Sequence, residues 1–437
     1  MKFRSKVFSA ALAAGLVVAS ASVSNATNGY YMIGTGAKDL GMAGAVVANP
    51  QDASTILQNP AGIAWLKGTT ADLGGAAFMP KRKLNGHDSD SNLYVIPSAG
   101  IAVNPKGCGC QNGSFTFGVG MYGVSGMGVD WRGNNGGTLT NGLLTKVWSN
   151  MAMMEMAVGG AYKVNDKLSV GFAPVFVYQT MGLEMDFAGF KYPNPNGDET
   201  FITVPNSSAT LDSTNAYGLG FDLGAVYKLN DMVQFGLAYK SKRYMQKLEW
   251  NTTVPTGMAS YMITGDKVKM RLDMPRQIAF GVNVKPINNL KVEADVKWIN
   301  YHDVMNEVDV TGMATPMGPI KTWNFHWKNQ WVFALGAEFA ATKALTLRAG
   351  FNYAKSPIKD EDLYNNIVAP AIVETHATLG ASYKFNKNLE LSLAYAHAFE
   401  HKQTGKVPAG MWQQVYGKTV EAKMYQDTIS TQLTYNF

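Results

Sequence analysis

Six histidines, two cysteines and one glycine-spaced segment are the parts of this 437-residue chain whose residue types and spacing suit chemistry. A hydrolase needs a Ser or Asp nucleophile beside a positioned histidine. None of His87, His302, His326, His376, His397 and His401 stands in such a local signature. The spacing Gly34-x-Gly36-x-x-x-x-Gly41 superficially matches a nucleotide loop. However, no strand precedes it, it is one residue too long for the dinucleotide fingerprint, and no Lys follows Gly41. Cys108 and Cys110 share the turn NPKGCGCQNG. Their two-residue spacing strains an intrachain bond, and no further metal ligands stand nearby. A strained turn disulfide and two incidental thiols both remain open, and neither implies a redox function. The expectation is a protein that is not an enzyme and needs no cofactor or metal.

What remains is a set of charges with a period of two. Lys291, Glu293, Asp295 and Lys297 alternate with Leu290, Val292, Val296 and Trp298, so one face of a strand is charged and the other apolar. Leu389, Leu391, Leu393, Tyr395 and Phe399 alternate likewise with Glu390, Ser392, Ala394 and Ala396, and by the same count Asp222, Glu338, Arg348 and His376 share the charged side. A wall that is apolar outside and charged inside is that of a membrane β-barrel. Pairing across strands and holding a plug is the reading for the charges, and a satisfied luminal residue is the reading for His376.

The rest of the chain fits that wall. Residues 1–26 carry Lys2, Arg4 and Lys6, then an apolar run, then Ser24-Asn25-Ala26, which is the order of an export signal. Its uninterrupted apolar run is shorter than the about 20 residues of a spanning helix. Removing those three basic residues lowers the formal charge from +6 to +3, too mild to argue for nucleic acid. Forty-five Gly, 20 Tyr, 20 Phe and only 16% charged residues suit many strands with aromatic girdles. Period-two runs near 69–84, 93–104, 114–128, 151–164, 168–187, 216–229, 232–250, 267–285, 290–305, 322–341, 345–356, 375–386, 389–400 and 420–437 predict about 14 strands. Short turns such as Asn165-Asp166 and Asn230-Asp231 alternate with long polar loops, as in outer-membrane barrels.

Before the strands, Asn28 to Gly68 is rich in Gly and Ala and reads as a thin, close-packed element. Three stretches resemble the FadL/TodX (OMPP1) family of outer-membrane transporters for long-chain fatty acids and aromatic hydrocarbons. They are Gly41-Met42-Ala43-Gly44-Ala45 with Asn59-Pro60-Ala61-Gly62; Met274-Pro275 with Ala279-Phe280-Gly281-Val282 and Glu293-Ala294-Asp295-Val296-Lys297-Trp298; and Glu374-Thr375-His376-Ala377-Thr378-Leu379-Gly380, leading to the terminal Phe437. The resemblance implies an all-β, 14-stranded antiparallel transmembrane barrel (69–437) with an N-terminal hatch in its lumen (27–68). It implies passive uptake of a hydrophobic small molecule, captured outside, held beside the hatch and released sideways through the wall. It also implies a monomer in the bacterial outer membrane, in contact with outer-membrane lipid and lipopolysaccharide and assembled through Phe437 by the barrel-assembly machinery. A general diffusion porin for small polar solutes is the alternative, suggested by the charged lumen.

Several residues become candidates on this view. Tyr30, Tyr31, Met32 and Ile33 lie where the family's mature N-terminus reaches the luminal site. Phe190, Phe201, Met258, Tyr261, Met262 and Ile263 are apolar in loops that ought to be polar, which suits either capture of greasy ligands or loop packing. Arg132, Lys146 and Arg348 are cations available to a carboxylate. Gly118, Gly120 and Gly123, with Gly126 and Gly128, supply either a wall opening or a barrel corner.

Overall fold

The computed structural model describes residues 28–104, 114–133, 138–193, 201–204, 207–252, 263–264, 266–315 and 318–437. The export signal, Cys108, Cys110, Met258, Tyr261 and Met262 lie outside the described residues, as do the side chains of Phe190 and Phe201.

Fourteen antiparallel strands close on themselves. In chain order they are β1 (Thr69–Leu84), β2 (Tyr94–Val103), β3 (Ser114–Asp130), β4 (Leu144–Lys163), β5 (Leu168–Phe187), β6 (Ser207–Lys228) and β7 (Val233–Lys240). They continue with β8 (Gln277–Ile287), β9 (Leu290–Ile299), β10 (Gln330–Ala340), β11 (Leu345–Ala354), β12 (Thr375–Lys384), β13 (Leu389–Lys406) and β14 (Thr419–Asn436). Each pairs with its sequence neighbours, and β14 pairs with β1 from Asn436↔Thr70 to Ala422↔Leu84. Closure removes the unpaired edge that a bilayer does not tolerate.

The period-two pattern sets the faces. Phe117, Phe172, Phe221, Phe280, Phe333, Phe351, Leu379, Leu393 and Ile429 are exposed and form the lipid-facing band, while Asp72, Asp222, Glu293, Gln432 and Thr434 on the opposite faces are buried. Several expected strands are shorter than their sequence pattern: 290–305 ends at Ile299 and 322–341 begins at Gln330. Segment 232–250 leaves the β7–β8 ladder after Lys240 and pairs with β6 again only at Tyr244–Met245, and segment 267–285 joins the barrel only at Gln277. Arg243 and Met274 exchange one pair of backbone hydrogen bonds there, and Pro275 has no N–H to continue the ladder. The chain beyond turns outward instead. Leu248–Asn251, Lys267–Met270, Glu307–Thr315 and Gly318–Asn324 form a four-stranded sheet over the barrel mouth, and Phe190–Pro193 pairs with Phe201–Val204 as a separate hairpin.

Residues 28–68 fill the lumen. The segment contains a short helix α1 (Ala37–Gly41), a second helical turn α2 (Thr55–Gln58) and a 3-10 turn, Pro60–Trp65. The Asn59 side chain accepts from Ala61 N at the start of that turn, and Pro60 occupies its first position, where the missing N–H costs nothing. Almost every residue from Asn28 to Leu66 is buried.

Candidate functional site: an apolar cluster above a bonded hatch

The hatch is held mainly through its backbone. Asp295 accepts from Val46 N and Val47 N at 2.9 and 3.1 Å, and Glu293 accepts from Ala48 N at 2.6 Å. Lys297 donates to Gly44 O, Lys291 to Asn49 Oδ1, Asn352 to Ala43 O and Thr378 to Gly41 O. The alternating charges of β9 therefore satisfy a segment with little regular structure of its own, as buried backbone requires. Asn59 completes the grip by donating to Val47 O and Ala225 O at 2.8 and 3.1 Å. Glycines on the wall let the segment come this close. A Cβ added at Gly224 would stand 2.0 Å from Asn59 Oδ1, and one at Gly236 would stand 2.2 Å from Val47 O. Within the hatch, burial pushes the Asp39 carboxyl up to about 6, while Thr35 and Gln58 hydrogen-bond to it.

Above the hatch the lumen becomes apolar. One continuous cluster joins Tyr30 and Tyr31 to Met127, Met151, Met153, Met181, Met185, Met245, Met270, Met274, Met305 and Met313, and to Trp131, Trp250 and Trp327. Thioethers adapt to irregular apolar shapes, so this packed cluster can re-form around a greasy occupant of varied form. The Tyr30 ring packs against Tyr31, Tyr301 and Trp327, with centroids 5.0 to 5.7 Å apart. Tyr301 accepts from Tyr30 N at 3.1 Å and donates to Asn28 O at 2.5 Å. Burial raises the phenols of Tyr30, Tyr31 and Tyr301, so all three stay neutral donors.

The hydrogen-bonded pairing of the wall is interrupted beside this cluster. The β2–β3 ladder runs from Val103↔Phe117 to Ser98↔Tyr122 and stops, although both strands continue, β2 on β1 and β3 on β4. Pro97, which cannot donate to a ladder, is the next residue of β2, and β3 shifts register between Gly123 and Ser125. The freed backbone of β3 pairs with the hatch instead: Met32 N donates to Val124 O at 3.0 Å and Gly126 N to Tyr30 O at 3.2 Å. Met32 packs on Phe78, Tyr94, Ile96 and Ala152 at the parting, while Ile33 is buried with Ala37, Leu40, Ala394 and Ala396.

The other sequence candidates are dispersed. Gly118 and Gly120 lie in the intact part of the ladder, where they make room for Ile56 of the hatch, and only Gly123 stands at the parting. Arg132 is at the outer rim, bound to Asp130 and Glu184 at 2.7 and 3.2 Å, and Lys146 pairs with Asp186. Arg348 is deep beside Gly41, bound to Glu338 and Ser382. None of these three cations faces the cluster with a free charge. Ile263 is buried in the apolar cluster through a bridge to Met313. Sequence reasoning passed over Tyr301, Trp327 and Arg243. The last is fully buried, held by Glu155 at 2.9 Å and Asp222 at 2.7 Å, with Lys240 completing a cluster that neutralises itself. Pro97 inside a strand pattern and Met151-x-Met153 were the legible signals.

Comparisons with known proteins agree with this architecture. Outer membrane protein P1 of Haemophilus influenzae is 23% identical over 90% of both chains. The long-chain fatty acid transport protein of Salmonella typhi is 21% identical over 83% of this chain and 84% of its own. The crystal structure of the Pseudomonas putida toluene transporter TodX superposes with a TM-score of 0.72 at 20% identity, covering 93% of this chain and 99% of that one. The profile described as outer membrane protein transport protein (OMPP1/FadL/TodX) matches residues 11–437, and the chain belongs to that family of the bacterial outer membrane.

Proposed function

We propose that this barrel takes up hydrophobic small molecules, long-chain fatty acids or aromatic hydrocarbons, down their own gradient. The molecule enters the methionine-rich cluster from outside, rests against Tyr30, Tyr31, Met32 and Ile33, and leaves between β2 and β3. The single observation that carries this reading is the interrupted wall pairing taken up by the hatch's own N-terminal residues. An apolar solute gains roughly 25 cal/mol per Å² of surface removed from water, so an apolar cluster leading sideways toward lipid keeps it buried throughout, whereas a water-filled pore does not. The family relatives carry fatty acids in one case and toluene in another, by their names.

Removal of residues 28–62 tests the reading. Selective uptake of fatty acid and hydrocarbon is expected to disappear while the barrel still assembles. Unchanged uptake of both sinks it. A large, stable conductance of the intact protein would favour the general porin.

The same reading gives the partners. All 14 strands come from one chain, which suits a monomer, and Phe437 ends the last strand for the assembly machinery. Lys83, Lys423 and Lys402 stand side by side across β1, β14 and β13 at the outer end, with side chains 37 to 52% exposed. Asp88 and Glu421 pair with these lysines, and the exposed row keeps one net positive charge toward the phosphates of lipopolysaccharide.

A further inference from the structure

The underside of the hatch meets the wall at the short-turn end of the barrel, the end that faces the periplasm in such proteins. There β6, β7, β8 and β9 converge on Asn49 and Pro50 around a cavity of about 160 Å³, well above the about 10–15 Å³ that one water needs. Its lining is unbalanced in charge: Lys228, Lys285 and Lys291 stand against a single carboxylate, Asp231. Lys228 pairs with Asp231 at 2.7 Å, where the acid is almost fully exposed. Lys291 reaches Glu338 at 3.1 Å, a carboxylate that Arg348 already holds at 2.8 Å. Lys285, half-buried on β8, makes no ion pair among the described residues.

The hatch contributes the decisive group. Asn49 is only 4% exposed, and its Oδ1 accepts from Lys291 Nζ at 3.2 Å. Its Nδ2 is buried with no acceptor among the described residues, an arrangement that costs stability unless a ligand or ion completes it. Asn283 lines the same cavity beside Glu293. An anion supplies what these groups lack, giving Nδ2 an acceptor and Lys285 and Lys291 a counter-charge. A cation or an apolar molecule would leave both needs unmet. A phosphate group fits best, because its oxygens point several ways at once and lysine binds it as a point charge. The planar pair of oxygens on a carboxylate is poorly shaped to serve Asn49 on the hatch together with lysines on two strands.

We infer that this cavity is a phosphate-group site that latches the hatch from the periplasmic side, with Asn49 Nδ2, Lys285 and Lys291 binding the oxygens. One ligand then joins the hatch to β8 and β9. It binds the seated plug more tightly than a displaced one, so its occupancy biases the plug toward closure. The latch lies below the hatch, apart from the apolar cluster above it, and acts whichever hydrophobic molecule is carried. Free phosphate and a phospholipid headgroup present the same chemistry, and binding adds no covalent step.

Isothermal titration of the detergent-purified protein with sodium phosphate at fixed ionic strength tests the site. Saturable binding is expected, weakened about tenfold or more by Lys285→Gln, the worth of one lost charge-assisted hydrogen bond. Asn49→Asp, which puts a carboxylate where the donor stood, is expected to abolish it. The latch is read by limited proteolysis within residues 41–66, because cleavage tracks the open population. Phosphate at about ten times its wild-type dissociation constant is expected to slow that cleavage about tenfold in wild type and no more than about twofold in Lys285→Gln. Nanodiscs separate the two sources. Slower cleavage in phosphatidylglycerol than in a phosphate-free galactolipid, with no phosphate added, assigns the headgroup, and equal cleavage in both that added phosphate slows assigns the free ion. Absence of saturable phosphate binding, equal affinity of wild type and Lys285→Gln, or cleavage that neither source slows overturns the inference. If Asn49→Asp unseats the hatch, Lys285→Gln carries the comparison alone.

Discussion

The Asp295 carboxylate on β9 accepts the backbone N–H of hatch residue Val46 at 2.9 Å, and the same oxygen takes the N–H of Val47 at 3.1 Å. A wall residue thus does for the hatch what secondary structure does elsewhere. Much of the plug is attached through backbone atoms, with side-chain anchors from Lys38 to Glu390, Asp52 to Gln432 and Trp65 to Ser169. Its fit therefore depends on where the wall places its acceptors.

Replacing Asp295 and Glu293 together by Ala orphans three buried N–H groups of residues 46–48. Each costs about 1–3 kcal/mol, enough to loosen the central hatch without affecting the ladder. Planar-bilayer recordings are expected to show frequent openings that wild type lacks. Recordings indistinguishable from wild type would mean these bonds do not hold the plug.

Asn59→Ala leaves Val47 O and Ala225 O without their donor. With each buried carbonyl costing about 1–3 kcal/mol, limited proteolysis is expected to cut within residues 41–66 at low protease while the barrel keeps its heat-modifiable migration. Equal resistance of both proteins would show that the Asn59 side chain is dispensable.

The wall parting can be sewn shut. An ideal Cβ at Gly123 falls 3.8 Å from Ile96 Cβ, the usual separation across a disulfide. In a Cys108→Ser, Cys110→Ser background, Ile96→Cys with Gly123→Cys is expected to crosslink on oxidation and stop uptake of palmitate, with recovery under reductant. Uptake that persists after complete crosslinking would remove β2–β3 as the exit.

Tyr301→Phe removes one donation and one acceptance at the hatch's N-terminal residues, about 1 kcal/mol for each bond. Gly29→Ala acts more strongly, because its φ is +64° and its new Cβ would stand 2.5 Å from the Tyr301 ring. Aminopeptidase trimming of the residues before Gly34 is expected to rise in the order wild type, Tyr301→Phe, Gly29→Ala. The same rate in all three would detach Tyr301 from the gate.

The strand alternation and the short turns determined, from sequence alone, a barrel of about 14 strands with a charged inward face on β9, and the Gly/Ala-rich segment read as its plug through the family resemblance. These are local properties: a period of two sends every second side chain inward whatever the rest of the chain does. The site was less legible. The sequence singled out Arg132 and Arg348 as cations available to a carboxylate and gave no sign of their partners. Only the closed barrel shows that they are met by Asp130, Glu184 and Glu338. Gly118, Gly120 and Gly123 likewise share one strand and one spacing. The tertiary structure alone assigns two of them to hatch packing and one to the wall parting, because that role depends on where β2 stops pairing and on what the hatch inserts there. Charge partners and wall gaps join residues far apart in the chain, and it is barrel closure that brings them together.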